Sequence, residues 1–287
     1  MTPASTPPLE ALVTLLGLET LEENLFRGHS QDLGFPQLFG GQVLGQALSA
    51  ATRTVPAERK VHSLHGYFLR PGDAHKPVVY QVDGVRDGGS FTTRRISAIQ
   101  NGKTIFFCSA SFHGQEEGFE HQQAMPVGDS PEQLIEQGAK IERYDGHPIE
   151  FLRMPSPSPE ANEDKVSRSG LMPPPRQRLW FRLAGDLPED DALHRYLLTY
   201  SSDFNLLATG LIGHDVYFGS PGLQMASLDH SLWFHRDVRV NDWILYEMDS
   251  PWAGDARSFS RGSLYNRHGE LVASSAQEGL TRLRKHP

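Results

Sequence analysis

The chain writes one strand pattern twice, and that repetition limits what it can fold into. Tyr67-Phe68-x-Arg70, in "VHSLHGYFLR", returns as Trp233-Phe234-x-Arg236 in "ASLDHSLWFHR", a shift of 233 − 67 = 166 residues. At the same shift Val78-Val79-Tyr80 matches Ile244-Leu245-Tyr246, and Arg95 matches Arg261. The Asn101-Gly102 turn has a counterpart at His268-Gly269, one residue longer. Matches held in this order mark an internal duplication of one supersecondary unit.

The content of that unit follows from its residues. "FGGQVLGQALSAAT" (39–52) reads as a helix rich in small residues. Gly41, Gly45 and Ala47 allow very close approach, at about 1 kcal/mol per Gly against Ala, so the helix is expected to be buried against a sheet. From Val61 to His113 the text is strand-like, and Asn-Gly between "FTTRRISAI" and "TIFFCSASFH" is a strong hairpin signal. In the second copy "RLWFRLAG" echoes "NLFRGH", "SSDFNLLATGLIG" takes the place of "FGGQVLGQALSA", and four strand-like runs follow. The fold class is α+β: two tandem copies of a buried helix with an antiparallel sheet.

Ahead of the first copy, residues 1–8 read as loose and Leu9 to Leu21 as a short amphipathic helix. The domains are drawn as 9–114, a linker at 115–176, and 177–287. The linker holds a helix in "SPEQLIEQGAKI", a short strand in "PIEFLR", and a Pro/Ser/charge-rich loop from Met154 to Arg176.

Composition removes several function classes. A net charge of −8 argues against a nucleic-acid partner, which needs a basic face. No run approaches the ~18 apolar residues of a membrane helix, and the N-terminus lacks a signal-peptide layout. The single Cys108, in "TIFFCSASF", reads as a buried thiol. A reduced, soluble, cytoplasmic protein is expected; "RKHP" is not a Ser-Lys-Leu peroxisomal address.

Familiar catalytic signatures are missing. There is no G-x-S-x-G elbow. "SAIQNGKT" has Ser97 where a phosphate loop needs its first Gly. No metal or cofactor is expected, because the His residues include no H-E-x-x-H and no pairing with Cys at zinc spacing. Attention falls on the second copy, where it departs from the first. Asp203 in "YSSDFNLLATGL" is placed at the start of the second buried helix, where capping is its plain structural reading. Ser227 stands in a strand run, and Gln277 in "ASSAQEGL" occupies the place of Ser111. Asp229 and His230 are adjacent and point to opposite faces of a strand.

Taken in order, "FGGQVLGQAL", "VHSLHGYFLRPGD", "GGSFTTRRISAIQNGK", "SSDFNLL", "LDHSLWFHR" and "VASSAQEGL" resemble the type II acyl-CoA thioesterases over residues 20–113 and 177–285. The resemblance implies a double hotdog, with catalytic Asp203, Ser227 and Gln277; Ser stands where bacterial members often have Thr. It implies hydrolysis of acyl-CoA by an activated water, without a covalent intermediate. That chemistry is coherent: a carboxylate as general base, a hydroxyl and an amide to fix the water, and N–H groups at the second helix's start for the oxyanion. The same dipole is expected to keep Asp203 ionised. With no acid at the matching place in the first copy, one active site is expected per duplicated pair. Two alternatives stand beside this reading: a non-catalytic acyl-CoA binding module, and an enoyl-CoA hydratase using Asp229-His230. An exposed sheet edge leads to the expectation of a homo-oligomer.

Overall fold

Asn101 and Gly102 both take left-handed backbone, with φ of 50° and 71°. A two-residue turn needs that to match the twist of its strands, and it joins β5 (Phe91–Gln100) to β6 (Lys103–His113). The computed structural model describes residues 7–34, 37–155 and 175–284. Before that hairpin come α1 (Pro8–Leu16), β1 (Glu19–Glu22), β2 (Leu25–Gly28), α2 (Gly40–Thr52), β3 (Lys60–Phe68) and β4 (Val78–Asp87). After it come α3 (Pro131–Glu136), β7 (Glu142–Arg143), β8 (Ile149–Arg153), β9 (Arg176–Leu183) and α4 (Asp191–Ser201). A short 3-10 helix (Leu207–Leu211), β10 (Leu223–Ser227), β11 (Asp229–Phe234), β12 (Ile244–Gly254), β13 (Arg257–Asn266) and β14 (Leu271–Leu283) complete the described chain.

These strands form one sheet in the order β1-β2-β4-β5-β6-β3-β11-β14-β13-β12-β9-β8-β7, with β10 also on β14. Pairing is antiparallel throughout, and the midline is the β3–β11 ladder, where Leu64 faces Leu232. The 166-residue shift recurs in the register: Tyr80 pairs with Ala98 and Tyr246 with Leu264, Asp83 with Arg95 and Asp249 with Arg261. One core joins α1, α2, α4 and the inner sheet face. A smaller cluster gathers Leu134 of α3 with Leu152, Trp180, Trp243, Leu245 and Tyr265.

One expectation about the helices changes, and one is extended. The second long helix is "DALHRYLLTYS", not "SSDFNLLATGLIG". Its start was signalled by Asp190, whose side chain accepts from the N–H groups of Ala192 and Leu193. It ends at Ser201, capped by Ser202; Asn205 then turns left-handed, with φ of 66°, and only the 3-10 helix remains of the expected segment. As expected, α2 lies against the sheet, on β2 to β6, and its glycines meet a second partner as well. A Cβ at Gly41 would overlap the carbonyl oxygen of Tyr200, and one at Gly45 would lie 3.2 Å from that of Tyr196. The glycines let α2 press its backbone onto α4, helix to helix.

Within the expected linker, α3 is closed by a capping box between Ser130 and Gln133, and β8 pairs with β9 through buried Ile149, Phe151 and Leu152. The Pro/Ser-rich loop falls largely at 156–174, and the loose start at 1–6; both lie outside the described residues. The ends of the strand order are short and charged, "ETLE" in β1 and "ER" in β7. Such ends discourage edge-to-edge pairing, so the edge argument for self-association loses its footing here. Among the described residues no helix is long and apolar enough to cross a membrane.

Because Gly41 touches α4 backbone, Gly41→Ala must push the two helices apart. Urea unfolding should show a loss of roughly 1–3 kcal/mol, the usual range for overpacking. Unchanged stability would mean that the helix contact is not under this constraint.

Candidate functional site

Residues 203, 227 and 277 meet at the end of α4. Gln277 on β14 donates through Nε2 to Asp203 Oδ1 at 2.7 Å and to Ser227 Oγ at 2.9 Å. Strand geometry explains the second bond. Ser227 pairs with Gly279, and Gln277 lies two residues along the same face, a diagonal neighbour within reach of a long side chain. Gly279 has no side chain, and a Cβ there would collide with Leu207 of the 3-10 helix. Both amide hydrogens of Gln277 are thereby committed. Its Oε1 is a buried acceptor with no side-chain or backbone partner among the described residues. Ser227 Oγ accepts from the amide and keeps its own hydrogen to give.

Asp203 is placed differently from expectation. It does not open a helix; it follows the C-terminus of α4, two residues past Ser201. The helix start it touches belongs to the other half of the chain. The backbone N–H of Gly41, in the first turn of α2, donates to its carboxylate. A Cβ at Gly40 would lie 2.7 Å from Asp203 Oδ2. Position 39, before that turn, is Phe, which has no side-chain oxygen to cap with. The capping role read for Asp203 is thus exerted across the fold, on the first helix rather than the second.

The same correction applies to its charge. Burial raises the Asp203 carboxyl above the usual carboxylate range, and the bonds from Gln277 and Gly41 only partly counter this. The helix N-terminus holds the carboxylate without making it a strong acid. Its side chain is 6% exposed, and Gln277 is fully buried. Gly40, Phe68 and Ser227 are only partly buried and mark the side on which the site approaches the surface.

The segment carrying Asp203 is held by its neighbour. Ser202 Oγ donates to Thr199 O at 2.8 Å and meets His230 Nε2 at 3.0 Å. Ser202 O accepts from the Tyr246 hydroxyl at 2.9 Å. Sequence reasoning missed this scaffold, although Tyr246 had been matched to Tyr80 and His230 stands in "LDHS". His230 is fully buried, and burial pushes its imidazole down to about 3. Asp229 turns the other way and accepts the N–H of Glu278 at 2.7 Å. The two adjacent residues therefore do not form an acid–base pair.

Register also corrects the first-copy counterpart of Gln277. Arg94 pairs with Ala110, and Ser260, which is 94 + 166, pairs with Gln277. The match is Ala110, not Ser111, because the second turn is one residue longer. Leu64, the counterpart of His230 at 230 − 64 = 166, pairs with that alanine. The first half carries Leu and Ala where the second carries His and Gln.

Comparison with known proteins points one way. Residues 158–280 match the family model described as acyl-CoA thioesterase, and residues 30–113 the one described as acyl-CoA thioesterase N-terminal domain. Acyl-CoA thioesterase 2 of Haemophilus influenzae is 38% identical over 279 residues, 96% of this chain and 98% of that protein. Acyl-coenzyme A thioesterase 8 of Homo sapiens is 39% identical, over 95% of this chain and 89% of its own. The crystal structure of an acyl-CoA thioesterase II, TesB2, from Mycobacterium marinum has a TM-score of 0.80 at 40% identity, covering 96% and 99%. A hot dog fold protein of unknown function from Alicyclobacillus acidocaldarius, at 16% identity and a TM-score of 0.76 over 96% and 99%, shares the fold.

A carboxyl raised by burial destabilises the fold when ionised. The folded form holds its proton more tightly than the unfolded chain, so stability falls as pH rises from the unfolded value through the raised one. Asp203→Asn should therefore melt at a higher temperature than wild type at pH 8. The gap should close as pH falls through the raised value toward 3.8. Calorimetry across pH checks both, and a variant less stable than wild type at pH 8 contradicts the assignment.

Proposed function

The chain belongs to the acyl-CoA thioesterase family, and on that premise we propose that it hydrolyses acyl-CoA to free fatty acid and CoA at Asp203, Ser227 and Gln277. The observation that carries the residue assignment is the pair of bonds from one amide, Gln277 to Asp203 and to Ser227. The fold is read as a double hotdog, with residues 9–114 and 177–287 as tandem copies joined by 115–176. The catalytic groups come from the second copy, and the first contributes the opening turn of α2.

The chemistry follows from the state of each group. Asp203, as the carboxylate, takes a proton from water as the oxygen attacks the thioester carbon. Gln277 spends both N–H groups fixing the base and the hydroxyl, so neither rotates during attack. Ser227 keeps an O–H to donate, toward the water's lone pair or the carbonyl oxygen. N–H groups of the first turn of α2 that have no helical partner suit the oxyanion that develops. The tetrahedral intermediate then collapses: the C–S bond breaks, CoA leaves as a thiolate, and the proton taken by Asp203 returns to sulfur or solvent. Ser227 makes no direct hydrogen bond to Asp203 or to a histidine among the described residues, so water is taken as the nucleophile.

Release of CoA thiol, followed with a thiol reagent over a series of acyl chain lengths, tests the activity. Wild type silent on every length overturns it. Asp203→Asn should lower kcat by about 10²–10⁴, the usual contribution of a general base. The acid limb of the wild-type profile should lie above the ordinary Asp value of 3.8, since burial raises this carboxyl.

A further inference from the structure

Two hydrogen bonds fix the state of His230. A serine hydroxyl has one hydrogen, and Ser202 gives its own to Thr199 O. The contact between Ser202 Oγ and His230 Nε2 then needs its hydrogen from the ring. His230 is therefore the Nε2–H tautomer, with a bare lone pair on Nδ1. That atom is buried, has no hydrogen-bond partner among the described residues, and lies 3.8 Å from Asp203 Oδ1. The separation is beyond a direct hydrogen bond. Two acceptors thus stand side by side, and neither can satisfy the other.

We propose that His230 is a fourth member of the catalytic set: its Nδ1 accepts one hydrogen of the attacking water while Asp203 takes the other. The assignment rests on the thioesterase reading above. Water is the reactant with two hydrogens to give, and an oxygen ~2.8 Å from each acceptor spans their separation at ordinary hydrogen-bond lengths. With both hydrogens directed to these acceptors, the lone pairs of the water face away from them, free for the thioester carbon. A ring pushed down to about 3 stays neutral at pH 7, so its lone pair is always available. It orients the water and is too weak a base to compete with Asp203. The register supports a role beyond packing, since the first half has Leu64 at this position, opposite Ala110.

Two substitutions separate the two ring nitrogens. His230→Gln can place an amide N–H where Nε2 stood, keeping the bond to Ser202 while removing the acceptor. His230→Asn can place a carbonyl oxygen near Nδ1 while losing the bond to Ser202. We expect His230→Gln to lose about tenfold or more in kcat, the effect of misorienting a reactant, with little change in KM or Tm. His230→Asn should keep kcat within about threefold of wild type despite a lower Tm. His230→Gln with wild-type kcat overturns the proposal, as does His230→Asn failing as badly as His230→Gln. Should His230→Gln not fold, the Asn variant decides alone: retained kcat supports the role and lost kcat overturns it. Wild type without thiol release overturns the thioesterase reading and this proposal with it. Active wild type with undiminished His230→Gln overturns this proposal only.

Discussion

The backbone-to-backbone approach of α2 and α4 is the constraint on which the rest depends. Gly41 lets the first turn of α2 reach the last turn of α4, where a Cβ would overlap the Tyr200 carbonyl. The carboxylate that follows α4 then meets the N–H of that same glycine. One small residue thus serves the helix contact and holds the carboxylate. A helix N-terminus left uncapped by its own sequence is supplied with a negative charge from the other half of the chain.

This arrangement resolves a conflict. A buried carboxylate loses hydration, and its pKa rises. Full neutralisation by an Arg or Lys would lower it again and make a weak base. The site instead uses partial charges: one backbone N–H and one amide N–H from Gln277. His230, with Nδ1 3.8 Å from Asp203 Oδ1, is held neutral by burial. The carboxyl stays above its ordinary value, which suits the general-base role proposed for it. A carboxyl raised in this way costs stability once it ionises.

The duplication was legible because strands record their partners in short, regular patterns. Tyr67/Trp233, Tyr80/Tyr246 and Arg95/Arg261 lie at one spacing, and the ladders repeat at that spacing. The Asn-Gly hairpin was legible for a steric reason, since two consecutive positive-φ residues admit few alternatives. The second helix was misplaced because "SSDFNLLATGLIG" is apolar enough to resemble "FGGQVLGQALSA". Its cap residue, Asp190, lay thirteen positions before Asp203. Apolar periodicity does not distinguish a long helix from a turn and a 3-10 segment buried beside one.

Sequence by itself determined the repeated α+β unit, the resemblance to the thioesterase family, and Asp203, Ser227 and Gln277 as the polar departures of the second copy. Tertiary structure decided which helix N-terminus serves Asp203, which residue in the first half corresponds to Gln277, and that His230 faces the carboxylate. The reason is physical. Local patterns encode periodicity and turns, which depend on neighbours a few residues away. The site instead depends on contacts such as Gly41 with Asp203 and Gln277 with Ser227, which exist only after two helices close on one another and three strands align.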